Sequence, residues 1–181
     1  MKTLNIVLMV AIVVFGLFVF SCFGFGLRIN TTDSVPRGVY QLSNSTELKS
    51  NYVLFCPDER EIFNQAIDRG YLHKGFCESG TGYMIKKVVA ISGDTISIDD
   101  NGVFVNGKLQ PFSKPLAHDG AGRELTSYKL SNYKLNNEEL LTMTDQNDWS
   151  FDGRYYGLIK TGQIKGVLTP VWVKPIEVIK Q

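Results

Sequence analysis

The sequence predicts a mainly β domain with an inserted smaller lobe, carried behind one N-terminal membrane helix. Residues 6–27 run without a charge, and after them come short β-branched and aromatic runs punctuated by Gly, Pro, Asn and Asp. A chain of 181 residues has room for one core-bearing domain behind such a helix.

At about 1.5 Å of rise per residue, residues 6–27 are long enough to cross a hydrocarbon core of about 30 Å. A cleavable signal peptide would have a shorter apolar region, and Phe20-Ser21-Cys22-Phe23 offers no small-x-small cleavage site. Val19-Phe20-Ser21-Cys22 only faintly resembles a lipoprotein processing site, because Phe20 is bulky. The segment therefore reads as an uncleaved anchor, residues 1–28, ahead of a domain at 29–181. Lys2 on one side and Arg28 and Arg37 on the other leave the orientation open.

Composition narrows the function classes. With 19 basic and 18 acidic residues the net charge is +1, and no basic cluster is dense enough to track a phosphate backbone, so nucleic acid is not an expected partner. Two histidines and three scattered cysteines have no metal-ligand spacing, so neither a metal nor a cofactor is expected. Cys56 and Cys77 flank one compact stretch and make a candidate disulfide, which would suit an oxidising compartment; two buried thiols are the alternative.

In chain order, Gly38-Val39-Tyr40-Gln41-Leu42 and Tyr52-Val53-Leu54-Phe55 read as strands around a Ser/Asn-rich loop. A short helix follows, with Pro57 in its first turn and Asp58, Glu59 and Glu61 at its positive end. Ile62, Phe63, Ala66 and Ile67 line one face, and Gly70 stops it. Residues 83–91 are the most strand-like run. Gly93-Asp94, Asp99-Asp100-Asn101-Gly102 and Asn106-Gly107 turn the chain between further short strands. From 108 to about 149 it is polar and irregular, with Glu138-Glu139-Leu140-Leu141 suggesting a helical turn, and the inserted lobe is placed at about 99–149. The tail returns to strand over 166–173, where Pro170 implies an edge or a bulge.

Three stretches carry chemistry. In Thr31-Thr32-Asp33-Ser34-Val35-Pro36-Arg37-Gly38-Val39-Tyr40, Pro36 stiffens the turn and biases Val35 to extended backbone, presenting Ser34 as a candidate nucleophile. Lys86 and Lys87 sit inside the apolar strand. One can face inward, where desolvation lowers its pKa and makes it a base, but apolar neighbours on both faces leave open which. Ser150, Asp152 and Arg154 alternate, so extended backbone would put them on one side, the carboxylate pairing the guanidinium and the hydroxyl reaching an inward lysine.

Together Asn30-Thr31-Thr32-Asp33-Ser34-Val35-Pro36-Arg37-Gly38-Val39-Tyr40, Ile85-Lys86-Lys87-Val88-Val89-Ala90-Ile91-Ser92-Gly93-Asp94 and residues 150–157 with the following Ile164-Lys165-Gly166 resemble the membrane-bound signal peptidase family of Ser/Lys proteases, most closely its TraF-type conjugative-transfer branch. Their order and the preceding anchor also match. The resemblance implies a signal-peptidase-like antiparallel β core, with Ser34 as nucleophile and Lys86 as general base. Thr32 matches a hydroxyl that helps the Ser34 amide form the oxyanion hole, and Ser150 one that orients the lysine. Asp152 and Arg154 match a supporting ion pair, whose aspartate belongs to the catalytic set in the TraF branch. Val35 departs from the family's methionine, Ser92 from a proline and Gly153 from a serine.

The implied activity is cleavage of signal or leader peptides, maturing a conjugative pilin or secretion-system precursor. The implied location is the bacterial inner membrane, single-pass, with the catalytic domain periplasmic. Expected partners are the precursor, membrane lipid and conjugation or type IV secretion components. A housekeeping type I signal peptidase is the alternative within the class. A catalytically silent, membrane-tethered assembly factor and a bitopic receptor with a β-rich binding module are the alternatives outside it.

Overall fold

The structure is a computed structural model and describes residues 2–174; Met1 and the end of the predicted domain, 175–181, lie outside the described residues. Helix α1 (Lys2–Gly24) contains a 21-residue stretch, Leu4–Gly24, of mean hydropathy 3.0, long and apolar enough for a membrane anchor or a signal sequence. Only Phe25 and Gly26 separate it from the first strand.

The remainder is mainly antiparallel β. Its strands are β1 (Leu27–Asn30), β2 (Gly38–Ser43), β3 (Tyr52–Phe55), β4 (Met84–Ala90), β5 (Thr95–Asp99), β6 (Gly102–Val105), β7 (Lys108–Leu109), β8 (Leu130–Lys134), β9 (Glu139–Met143), β10 (Ile159–Lys160) and β11 (Ile164–Val173). They form a seven-stranded sheet in the order β1-β2-β11-β3-β4-β9-β10 and a four-stranded sheet in the order β7-β6-β5-β8. The smaller sheet leaves the larger one after β4, and the chain returns to it at β9.

Two local readings are corrected here. Glu138-Glu139-Leu140-Leu141 is not a helical turn: residues from Glu139 onward form β9, paired with β4 and β10. Leu140, Leu141 and Met143 are fully buried there, so sheet pairing and burial outweigh the helical preference of a Glu-Leu run. The helix after Cys56 starts later than Pro57 implies, as α2 (Glu61–Asp68), because Arg60 keeps extended backbone and its guanidinium donates to the Tyr156 and Leu158 carbonyls.

Three apolar clusters hold the sheets. One packs Phe63 and Ala66 of α2 against Val53, Phe55, Val88 and Leu140, and a second joins Ile96, Ile98 and Val103 of the small sheet to Leu141 and Met143. The third, Val35, Tyr40, Leu54 and Leu168, lies under the serine turn. Val35 is fully buried and pins the residue after Ser34 into this cluster. Gly38 opens β2 at φ +150, and a Cβ there would lie 2.1 Å from the Trp172 carbonyl oxygen, so only glycine fits where β11 crosses. Pro170 sits at an irregularity in the β11–β2 register, beyond the last β11–β3 pair, where a missing amide costs no ladder bond to β3.

Candidate active site

Residues 31–37 connect β1 to β2 and hold Ser34 at their centre. Five consecutive carbonyls of this loop accept from side chains. Asn30 Nδ2 reaches those of Thr32 (3.0 Å), Val35 (2.9 Å) and Pro36 (3.1 Å), Gln146 Nε2 that of Asp33 (3.1 Å) and Thr144 Oγ1 that of Ser34 (2.7 Å). The Tyr40 hydroxyl also donates to the Pro36 carbonyl at 2.6 Å. The Ser34 amide finds no backbone acceptor among the described residues.

Strand β4 alternates buried and half-buried residues, which answers the question of the two lysines. Lys86 points inward and is 2% exposed, whereas Lys87 points outward and pairs with Asp145 at 3.2 Å. Lys86 Nζ donates to Ser150 Oγ at 2.5 Å, and Ser150 Oγ donates to Ser34 Oγ at 3.0 Å. The Ser150 hydroxyl therefore bridges amine and nucleophile candidate. Burial pulls the Lys86 pKa down to about 8, against the opposing attraction of the Asp152 carboxylate and with help from the Arg154 cation.

Ser150, Asp152 and Arg154 meet by a different route from the alternation expected of extended backbone. Gly153–Tyr156 is a short helix, α3, and Asp152 is its N-cap, accepting from the Arg154 amide at 3.1 Å. The cap folds both side chains together: Arg154 Nε to Asp152 Oδ1 is 2.8 Å with both side chains fully buried. Arg154 also donates to the Ser150 carbonyl at 2.8 Å, and Asp152 Oδ2 accepts from the Thr144 amide at 3.1 Å. The pair thus braces the backbone on either side of the Ser34–Ser150–Lys86 chain. Gly153 has no space for a side chain, since a Cβ would lie 2.7 Å from the Thr142 carbonyl oxygen.

Thr32 is exposed, and its hydroxyl turns back to donate to Asn30 Oδ1 at 2.8 Å, away from Ser34. Cys56 and Cys77 are joined as a disulfide. It ties the end of β3 to the loop that leads into Tyr83 and Met84, so it sits behind one wall of the site. Thr144 and Gln146 carry no sequence signal, and Asn30 opens the block around Ser34 with no role given to it. The one signal for Asn30 is its place two residues before Thr32, where an Asx turn forms.

A cleft of about 470 Å³ opens over this constellation, with Ser34, Lys86 and Ser150 in its lining and Tyr83, Met84, Trp149 and Phe151 among its apolar walls. A buried amine, a bridging hydroxyl and a serine on a braced loop at a cleft are what an acyl-transfer site requires. The family model for signal peptidase, peptidase S26, matches residues 1–173. The chain belongs to this signal peptidase family. Within it, a plasmid transfer protein TraF of Escherichia coli is 48% identical over 146 residues, covering 81% of this chain and 82% of that protein. A second Escherichia coli TraF is 45% identical over the same shares, so the chain is of the TraF conjugal-transfer type. A crystal structure of a signal peptidase I from Enterococcus faecalis aligns at 18% identity and a TM-score of 0.41, covering 70% of this chain and 100% of that one.

Proposed function

We propose that this chain is a membrane-anchored serine endopeptidase that cleaves signal or leader peptides with a Ser34/Lys86 dyad, maturing a conjugative pilin or a related secretion-system precursor. The observation that carries the reading is the buried Lys86 amine bonded to Ser150, whose hydroxyl reaches Ser34.

In its neutral form Lys86 accepts a proton through Ser150, as Ser34 Oγ gives up its own hydrogen and bonds to the scissile carbonyl carbon. The Ser34 amide, and the Thr32 hydroxyl once it leaves Asn30, meet the oxyanion. Collapse breaks the C–N bond, and the Lys86 ammonium protonates the leaving amine. Water deprotonated by Lys86 then attacks the ester, releasing the acid and regenerating Ser34. The Asp152 carboxylate favours the ammonium during acylation while burial favours the free amine before it, and their competition poises the lysine near neutrality. Asp152 and Arg154 hold Ser150 and Thr144 in place.

Placement agrees with a precursor emerging from a bilayer. Helix α1 runs almost directly into β1, and Ile29, Val39 and Trp172 are neighbours across β1, β2 and β11, with Ile29 and Trp172 well exposed. The Cys56–Cys77 disulfide supports a periplasmic domain. The TraF relatives, named for plasmid or conjugal transfer, favour a conjugation substrate over a housekeeping one.

The test is mass spectrometry of candidate pilin precursors incubated with the full-length protein in detergent. Cleavage at one bond that disappears with Ser34→Ala supports the proposal. Cleavage that survives Ser34→Ala, or folded protein that cuts no precursor and takes up no acyl group from an activated ester, overturns it.

A further inference from the structure

Asn30 opens the block that carries Ser34 but has no role in the dyad, yet its side chain bonds to the nucleophile loop at five points. It is the last residue of β1, is 6% exposed and faces Gly38, the first residue of β2, so its side chain fills the mouth of the loop. Its amide group donates to the three carbonyls of Thr32, Val35 and Pro36, and its Oδ1 accepts from the Thr32 amide at 3.1 Å and from the Thr32 hydroxyl at 2.8 Å. Two hydrogens serving three acceptors means that one is shared, a dense arrangement for one side chain.

This geometry has two consequences. With the loop's carbonyls drawn onto Asn30, Thr144 and Gln146, the Ser34 amide is left without a backbone acceptor among the described residues and is free to meet an oxyanion. The Thr32 hydroxyl is meanwhile held on Asn30 Oδ1, so the second donor is stored beside the hole without being aimed into it. A hydroxyl can leave a neutral amide acceptor for a developing oxyanion, because the bond to a charged acceptor is about twice as strong.

Resting on the peptidase reading above, we propose that Asn30 is a positioning residue for the oxyanion hole: it fixes the backbone that presents the Ser34 amide and keeps the Thr32 hydroxyl in reserve until the tetrahedral intermediate forms. Asn30 touches no reacting atom and acts only through Ser34 and Thr32. Its loss falls on the rate of acylation and leaves substrate binding nearly unchanged.

The experiment follows acylation of full-length protein in detergent by an alanine p-nitrophenyl ester, reading p-nitrophenol release and the acyl-enzyme by intact mass. Wild type, Asn30→Ala, Thr32→Val and the double variant are compared, with thermal unfolding run beside them. Asn30→Ala is expected to lower kcat about 100-fold with KM within about 3-fold, the scale of losing one oxyanion donor. Thr32→Val is expected to cost about 10-fold alone and under about 3-fold in the Asn30→Ala background, since an unheld hydroxyl has no position left to lose. Where Asn30→Ala does not fold, Asn30→Asp replaces it. This variant keeps the acceptor for Thr32 but sets a carboxylate against the three carbonyls, so kcat falls while Thr32→Val retains its full separate cost. Wild-type kcat in a folded Asn30 variant, or a Thr32→Val effect identical in wild type and Asn30→Ala, overturns the proposal. A folded wild type that takes up no acyl group overturns the peptidase reading itself.

Discussion

Two adjacent lysines on one strand end in opposite environments. Lys86 is buried and donates to a hydroxyl, while Lys87 is partly exposed and meets the Asp145 carboxylate, which also accepts from the Tyr52 hydroxyl. Both grip the same segment, Lys86 at Ser150 and Lys87 at Asp145, so register alone separates their roles. An amine becomes a base only where the sheet both dries it and denies it a bonded carboxylate. The contrast applies to the acids too: Asp152 is fully buried against Arg154, whereas the Asp33–Arg37 pair beside Ser34 is solvent-exposed.

The largest expected effect sets one lysine against the other. Lys86→Ala is expected to lower acylation by about 10⁴-fold, the upper range for a general base, while Lys87→Ala stays within about 3-fold. Ester turnover by the two purified variants checks this, and equal losses would break the comparison. Next comes the pair of acids: Arg154→Met leaves the Asp152 carboxylate buried without its cation and is expected to destabilise by about 3–5 kcal/mol, whereas Arg37→Ala, which removes a solvent-screened partner, leaves the unfolding midpoint essentially unmoved. Urea unfolding of both variants measures the gap. Gly153→Ser drives a Cβ onto the β9 backbone, for an expected loss of about 1–3 kcal/mol by the same assay.

A smaller effect lies in the pH dependence of stability. The Lys86 pKa falls on folding from 10.5 to about 8, so between those values the unfolded chain binds more protons than the folded one. The folded state therefore gains stability as pH rises through that window, and a penalty persists below it. Lys86→Met removes both the penalty and the slope. Unfolding of wild type and variant at pH 8 and pH 10 is expected to differ on the order of 1 kcal/mol in this sense.

Much of this was legible in the chain because it depends on local pattern. The charge-free run, the strand through Lys86 and Lys87, and the turns at Asn101-Gly102 and Asn106-Gly107 all survive as α1, β4 and the hairpins of the small sheet. The direction of Lys86 was not legible, since Ile85, Val88, Val89 and Ala90 are apolar on both faces and only the packing of Phe63, Ala66 and Tyr156 over Met84 and Val88 decides the inner one. Glu139 to Met143 misleads because helix preference is local and β9 pairing is not. Ser150, Asp152 and Arg154 do converge, but through the cap of α3, which alternation does not encode. The roles of Asn30 and Thr144 are not readable because each serves backbone groups, and a polar residue bonded to backbone looks in sequence like any loop residue.

The most direct test is the pH profile of single-turnover acylation at Ser34, followed from pH 5 to pH 10 by intact mass. With a buried lysine as base, the rate rises tenfold per pH unit and levels off above about 8, and the rise disappears in Lys86→Ala. A flat profile, an inflection near the ordinary histidine value of about 6.5, or an unchanged rise in Lys86→Ala would contradict the assignment of Lys86 as the group that takes the Ser34 proton.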